Sequence, residues 1–481
     1  MLARLRANPH LIFATLALAG WSYAVSQTML IPSLPDIQAA FHTTPSGVTA
    51  LMTSFWVSGA VTAGVFGRLG DMYGKQRMIV AQMVLFSAGA TICALTSVLP
   101  LMIAGRVLMG CAIGLFPLSY SLIRDELPPK RVVGAIALLG GLIASGAAVG
   151  QSAGGLVSDH LGYRWIFWIS LIMGLASIVA LLVFVPESPT RTGGRVDVGG
   201  TALLAAGLAA PLIAIAETPA WGWTSAATLV LFAVGAALLT LFVVYERRHA
   251  DPLIHIPTLL LPRVRLTNAA TLFVGFGLFG VSTILSQFFQ EPASTGYGFG
   301  ANATQAGLFL VPGLILVMIT APLAGRLSSR VGPAVTLRLG IAVGTAGIAG
   351  MALSHGHTFE MYLWPSLIYV GVGAAFGAMP TIVLQSVPPT RSGQSAAINM
   401  IVRTVGSAIG IQLAATIVTA SAGPTGIPSD RGYTAAFALE TAGGIAALLF
   451  ALAIPRRLGA VREQAPAGTL SGLPLTRSPG P

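Results

Sequence analysis

The feature that most constrains this chain is the recurrence of apolar runs about 20 residues long, the length an α-helix needs to cross a hydrocarbon layer. Fourteen are read, over residues 11–34, 46–67, 78–97, 100–123, 132–157, 164–185, 198–217, 224–245, 266–290, 303–325, 335–354, 361–384, 394–420 and 433–455. Of the 481 residues 54% are hydrophobic and only 9% charged. Soluble domains carry roughly 25% charged residues, so this chain cannot clothe a set of them. The same apolar content excludes extended disorder. The 57 glycines and 30 prolines would break many soluble helices. In lipid, where the backbone must satisfy itself, they mark close packing and kinks instead. The expected fold is an all-α polytopic membrane protein.

The net charge of +11 would suggest an acidic partner if it were spread over a soluble surface. With the N-terminus inside and the chain alternating, 22 of the 26 Lys and Arg fall on the inner face. That bias supports an even number of spans with both termini cytoplasmic, and it removes the nucleic-acid reading. Arg4 and Arg6 ahead of an apolar run, with small residues near Ala24, resemble a secretory signal. The run continues through Met29, Leu30 and Ile31 with thirteen more behind it, so a retained first helix is expected. Cys93 and Cys111 lie inside apolar runs and offer no disulfide framework.

The two ends of the chain repeat each other. Gly67-Arg68-Leu69 through Gly74 returns as Gly325-Arg326-Leu327 through Gly332, and Pro128-Pro129-Lys130-Arg131 as Pro388-Pro389-Thr390-Arg391. Gly146 and Gly150 return as Gly406 and Gly410; Gly110, Gly114 and Pro117 return as Gly373, Gly377 and Pro380. Four matches in one order divide the chain. A cytoplasmic N-terminus (1–9) precedes a six-helix half (10–185). Two inserted helices with linkers (186–262), a second six-helix half (263–455) and a disordered cytoplasmic tail (456–481) follow. Internal repeats of this kind build many secondary transporters, with the substrate site between the halves near the midplane.

The stretch Gly67-Arg-Leu-Gly-Asp-Met-Tyr-Gly-Lys-Gln-Arg77 resembles the signature loop of the major facilitator superfamily between helices 2 and 3. Glycines there let helix ends approach closely. Asp71 is placed to cap or pair across the loop, with Lys75 and Arg77 anchoring the cytoplasmic face; Gly67, Asp71, Gly74, Lys75 and Arg77 form the expected gating loop. Arg106, four residues before Gly110, resembles the family's buried-arginine motif, whose Arg is implicated in proton transfer. Gly146, Gly150, Gly154 and Gly155 resemble its antiporter motif in helix 5. Fourteen spans resemble the drug:proton antiporter branch with two extra central helices. Tyr163-Arg-Trp-Ile-Phe-Trp-Ile169, Trp221-Gly-Trp223, Glu246-Arg-Arg248 and Asp251-Pro-Leu253 agree with that branch. Two departures stand out. The acidic residue the branch carries in helix 1 is Ser26 here, and the Gly-Pro pair of the antiporter motif is Gly150-Gln151.

Ionisable groups inside the bilayer are costly and are functional candidates by default. Three fall well inside the spans. Arg106 is read as a cavity or proton-relay residue, with pairing to carbonyls or helix dipoles as the structural alternative. Arg403 reads as a snorkelling or capping residue as readily as a functional one. Glu440 reads as a proton carrier or as a neutral hydrogen-bonding group on a supporting helix. Asp36, at the outer end of helix 1, is a rim residue or a carrier. The proton-coupling candidates are thus Arg106, Glu440 and Asp36. For the substrate cavity, Ser26, Gln27, Thr28, Gln151, Gln287 and Gln290 are candidate hydrogen-bonding groups and Trp56, Phe288 and Phe289 candidate apolar walls. Such a set suits a large amphipathic ligand better than a sugar.

Gly275-Phe-Gly-Leu-Phe-Gly280 matches a dinucleotide fingerprint and Gly150-Gln-Ser-Ala-Gly154 a nucleophile elbow, but both lie inside apolar spans with no strand before them. No enzyme activity, metal or cofactor is expected. The expected function is efflux of amphipathic drugs or a secondary metabolite by alternating access in exchange for protons, by a monomer in the plasma membrane of a bacterium. The alternatives are an uncoupled facilitator or lipid-like substrate flippase of the same fold and, from another class, a membrane-embedded enzyme or receptor. Clustered His or acidic residues within spans would favour the last, and there are none.

Overall fold

A computed structural model describes residues 8–43, 45–188, 197–249, 252–423 and 427–455. The expected tail at 456–481, the first seven residues, and Arg191 and Arg195 lie outside the described residues.

Fourteen long helices account for almost all of it. They are α1 (Pro9–Met29), α2 (Pro45–Tyr73), α3 (Lys75–Leu95), α4 (Leu99–Glu126), α5 (Pro129–Leu161), α6 (Arg164–Phe184) and α7 (Val198–Trp221). There follow α8 (Ala226–Arg248), α9 (Pro262–Gln290), α10 (Ala303–Val331), α11 (Pro333–Leu353), α12 (Thr358–Gln385), α13 (Ser392–Ala420) and α14 (Asp430–Ala453). Thirteen, α2 to α14, are long and apolar enough to cross a membrane. The other, α1, has 21 residues, but Ser22, Tyr23, Ser26, Gln27 and Thr28 crowd its second half and make it less apolar. The expected first span runs on to residue 34, whereas α1 stops at Met29. Pro32 and Pro35 have no amide proton to give, and the chain passes through a 3-10 turn, Ile31–Ser33, into the short helix Leu34–Ala40.

Helices α1–α6 pack by one pattern and α9–α14 repeat it. In the first set α1 lies against α5 and α6, α2 against α4, and α3 against α4 and α6. In the second α9 lies against α13 and α14, α10 against α12, and α11 against α12 and α14. The repeated loop has one geometry: Gly74 and Gly332 open α3 and α11 with φ of +115° and +93°, left-handed values that favour glycine.

Two seams join the sets, α2 with α13 and, related to it by the repeat, α5 with α10. Helix α7 lies over the first, against both α2 and α13. One end of the bundle carries Arg68, Lys75, Arg124, Lys130, Arg131, Arg326 and Arg391 and is called the basic end below.

Candidate functional site

At the basic end the α2–α3 turn reaches across to α13. The Gln394 amide donates to Asp71 Oδ2 at 3.3 Å, and the Lys75 ammonium donates to Ser392 Oγ at 3.4 Å. A methyl group on Gly67 would stand 3.1 Å from both the Gly393 carbonyl oxygen and Ala397 Cβ, so the helices touch where glycine leaves room. Arg124, on α4, donates to the Val387 carbonyl at 3.1 Å, a further contact between the halves. Lys75 is fully buried and forms a 2.5 Å ion pair with Asp125, which also accepts from Ser188 Oγ at 2.6 Å. Glu187 accepts from the Gln76 and Arg77 amides and pairs with the Arg77 side chain at 3.6 Å. Residues of the expected gating loop therefore converge in a network that holds the halves together at this end.

The second seam is built by small residues. A Cβ on Gly141 would lie 2.0 Å from Ala321 Cβ, and beside this seam one on Gly377 of α12 would lie 2.2 Å from Ala137 Cα of α5. Towards the opposite end Ser152 donates to the Gly307 carbonyl at 3.3 Å. Three of the four helix 5 glycines face inward within their own half. Gly146, Gly150 and Gly154 admit α1, whose Val25 and Met29 carbonyl oxygens would stand 2.3 and 2.2 Å from a Cβ at Gly150 and Gly154. Gly155 points to Pro32 and Thr304 at ordinary contact distance.

The candidate cavity residues separate. Ser26 is buried and accepts from Ser170 Oγ at 2.7 Å, joining α1 to α6. Thr28 donates to the Ala147 carbonyl at 2.6 Å, joining α1 to α5. Gln27, Trp56 and Gln151 are half-buried, Trp56 set edge-on to Phe55. Gln287 and Gln290 come together with Glu291 and Tyr433 around a cavity of about 360 Å³ at the end opposite the basic one. That volume is at the low end of small-molecule pockets, roughly 300–1,000 Å³. Phe288 is not a wall of it. The ring is fully buried within 6.4 Å of six others, among them Tyr297, Tyr433 and Phe437.

The interior ions differ in setting. Arg106 is sealed inside the first half, its Nε donating to the Leu51 carbonyl at 3.3 Å and its guanidinium 4.1 Å above Phe55, while Nη1 and Nη2 have no partner among the described residues. Arg403 stands between the halves: its guanidinium lies 4.1 Å over Phe376 and 5.6 Å from Phe279, and it interacts electrostatically with Tyr120 of α4. Glu440 is fully buried against Gly280, and both its carboxyl oxygens lack a hydrogen-bond partner among the described residues. Helix α14 begins at Asp430, so Glu440 sits about 15 Å along it, deeper than the expected 433 start implies. Asp36 is exposed at the rim and accepts from Ser158 Oγ at 2.5 Å.

One feature escaped sequence reading. Gly275–Phe279 forms a π-helical turn in the middle of α9. It packs on α13 and α14, with Gly275 against the Arg403 carbonyl and Gly277 against the Glu440 carbonyl. Such bulges are frequent at functional sites. The visible signal was the Gly-Phe-Gly-Leu-Phe-Gly run, whose glycines serve helix packing and not a nucleotide.

Residues 16–411 match the family model of the Major Facilitator Superfamily. The chain belongs to the Major Facilitator Superfamily. Within the superfamily it is 28% identical over 392 residues to the multidrug resistance protein Stp of Mycobacterium tuberculosis, covering 81% of this chain and 72% of that one. It is 24% identical over 487 positions to the tetracenomycin C resistance and export protein of Streptomyces glaucescens, covering 98% and 89%. The fold matches the solved structure of the human organic anion transporter MFSD10 with a TM-score of 0.65 at 14% identity, over 93% of this chain and 100% of that one. The superfamily consists of membrane transporters, and the network around Asp71 is where two halves of such a transporter meet.

Proposed function

We propose that this chain exports amphipathic drugs or a secondary metabolite across the plasma membrane of a bacterium by alternating access, as a monomer and in exchange for protons. In this reading all fourteen long helices span the bilayer, α1 included, and both termini and the basic end face the cytoplasm. The excess of Lys and Arg at that end supports the orientation. Its relatives' names support the substrate class.

The observation that carries the reading is the network at the basic end. Two separately packed halves are tied there through Asp71, Lys75 and Arg124, so a path to the cytoplasm requires those contacts to break. Each is a hydrogen bond worth about 0.5–1.5 kcal/mol net, or about 1.5–3 kcal/mol where charged, small enough for a substrate or proton to release. For the proton step the residue best suited is Glu440. A buried carboxyl with no hydrogen-bond partner among the described residues changes charge on proton uptake without breaking such a bond, and it lies against the π turn that also touches Arg403.

The second reading is an uncoupled facilitator or lipid-like substrate flippase. The Ser26–Ser170 bond favours it, because the branch's acidic position in α1 is here a neutral packing contact. Efflux measured in inverted vesicles separates the two. Collapse of the pH gradient is expected to stop accumulation, and Glu440→Gln to uncouple it. Unchanged transport after collapse contradicts antiport and leaves the uncoupled reading.

A further inference from the structure

The two seams between the halves are unequally covered. Helix α7 lies over α2 and α13, with Leu204 in the notch at Gly64 and Trp223 donating to Thr416 at 2.9 Å. Against the α5–α10 seam lies α12, the repeat mate of α4, and no counterpart of α7 is found there among the described residues. At its basic end this seam opens into a cavity of about 440 Å³ between α1, α5 and α10. Its wall is apolar along Phe13, Leu138 and Pro322, and its rim carries His10, Lys130 and Arg131 from one half and Arg326 and Arg330 from the other. No carboxylate lines the cavity, and none of these five is ion-paired among the described residues. The polar contact within the rim is between two of them, Arg131 Nη1 and His10 Nε2 at 3.5 Å.

We infer that this cleft is a binding site for one anionic phospholipid, whose phosphate sits between Lys130 and Arg131 on α5 and Arg326 and Arg330 on α10, with acyl chain along Phe13 and Leu138. Charge complementarity selects the headgroup, since four permanent cations converge with no counter-ion among the described residues. The apolar wall selects a lipid over a free anion. A basic pocket between membrane helices on the cytoplasmic side is where anionic headgroups are held. Its rim is drawn from both halves, so the bound headgroup bridges them at the end the Asp71 network also closes, and it favours the closed arrangement. The leaflet assignment rests on the orientation proposed above.

The test uses the full-length protein purified in detergent, with native mass spectrometry to count retained lipid and thermal unfolding to report stabilisation. Phosphatidylglycerol, phosphatidylcholine and inorganic phosphate are the three probes. The expected result is one retained phosphatidylglycerol, a thermal shift that phosphatidylcholine and phosphate do not reproduce, and about a tenfold or greater loss of preference in Arg326→Gln/Arg330→Gln. Arg326→Lys/Arg330→Lys, which keeps the charge, is expected to retain it, and gel filtration checks that each variant is folded. Arg247→Gln/Arg248→Gln removes equal charge from the exposed end of α8, away from the cleft. An equal loss in that control means diffuse surface attraction and overturns the proposal; so does a shift with phosphate matching that with lipid, or retention unaltered by the cleft variants. Binding in detergent does not depend on which face is cytoplasmic. A wrong orientation shows separately, as labelling of Gly332→Cys by an impermeant maleimide from the outside of intact cells.

Discussion

At Gly150 one hydrogen atom in place of a methyl group allows α1 and α5 to touch. A Cβ there would stand 2.3 Å from the Val25 carbonyl oxygen, and backbone cannot rotate away as a side chain can. Gly150→Val is expected to cost about 1–3 kcal/mol, the usual range for overpacking, and to lower the thermal midpoint in detergent. Gly155→Ala, whose nearest neighbour would be 3.7 Å away, is expected to leave it unchanged. His255 offers a residue-level pH effect outside the spans. Burial, and then the Arg391 guanidinium 3.0 Å from Nδ1, hold its pKa below the ordinary 6.5. The fold therefore favours neutral imidazole, and the unfolded chain binds the proton more readily. Stability is unaffected well above pH 6.5 and falls as the pH drops below it. Unfolding midpoints measured across that range should show the decline, and His255→Asn should flatten it. A decline of equal size in the variant would assign it to other groups.

At the scale of elements the helices were legible and their facing was not. Runs of about 20 apolar residues report burial in lipid whichever way the helix turns, so the fourteen helices follow from them directly. The direction of one polar side chain depends on a helix's rotation against its neighbours. Ser26 and Thr28 thus bond to α6 and α5, while Gln287 and Gln290 share a cavity with Glu291 and Tyr433. Phe288 shows the same limit: an aromatic ring among many is as readily core as wall. The π turn in α9 adds one residue per turn locally, and no apolar periodicity announces it. Gly277 is where it meets α14, with a Cβ position 2.7 Å from the Glu440 carbonyl oxygen and 2.8 Å from the Gly444 amide nitrogen. Gly277→Leu should push α9 off α14 and abolish transport at normal expression. The inserted pair should be far more tolerant: Thr416→Val deletes its bond from Trp223 and is expected to cost about 0.6 kcal/mol, a typical interhelical hydrogen bond in a membrane. A small shift of the thermal midpoint with transport intact is the expected readout.

At the scale of the whole molecule, two halves with one packing pattern meet along two seams related by the repeat. That relation was visible beforehand in four sequence matches, but which helices form the seams was not, because the matches order the chain and do not dock it. Glycine and alanine along both seams let whole halves approach as surfaces, and surfaces of this kind separate as units. In the proposed alternating access the network at Asp71, Lys75 and Arg124 is the gate, and transport by that route requires it to open. Gly67 and Ala397 provide the direct test, since their Cβ positions would be 3.1 Å apart, close to the roughly 3.5–4.5 Å a disulfide spans. The native thiols, Cys93 and Cys111, are both buried. In Gly67→Cys/Ala397→Cys, oxidation is expected to form the cross-link, stop efflux, and release it again on reduction, with each single variant unaffected by oxidant. Efflux that continues at the parent rate with the cross-link fully formed would contradict alternating access through the basic end.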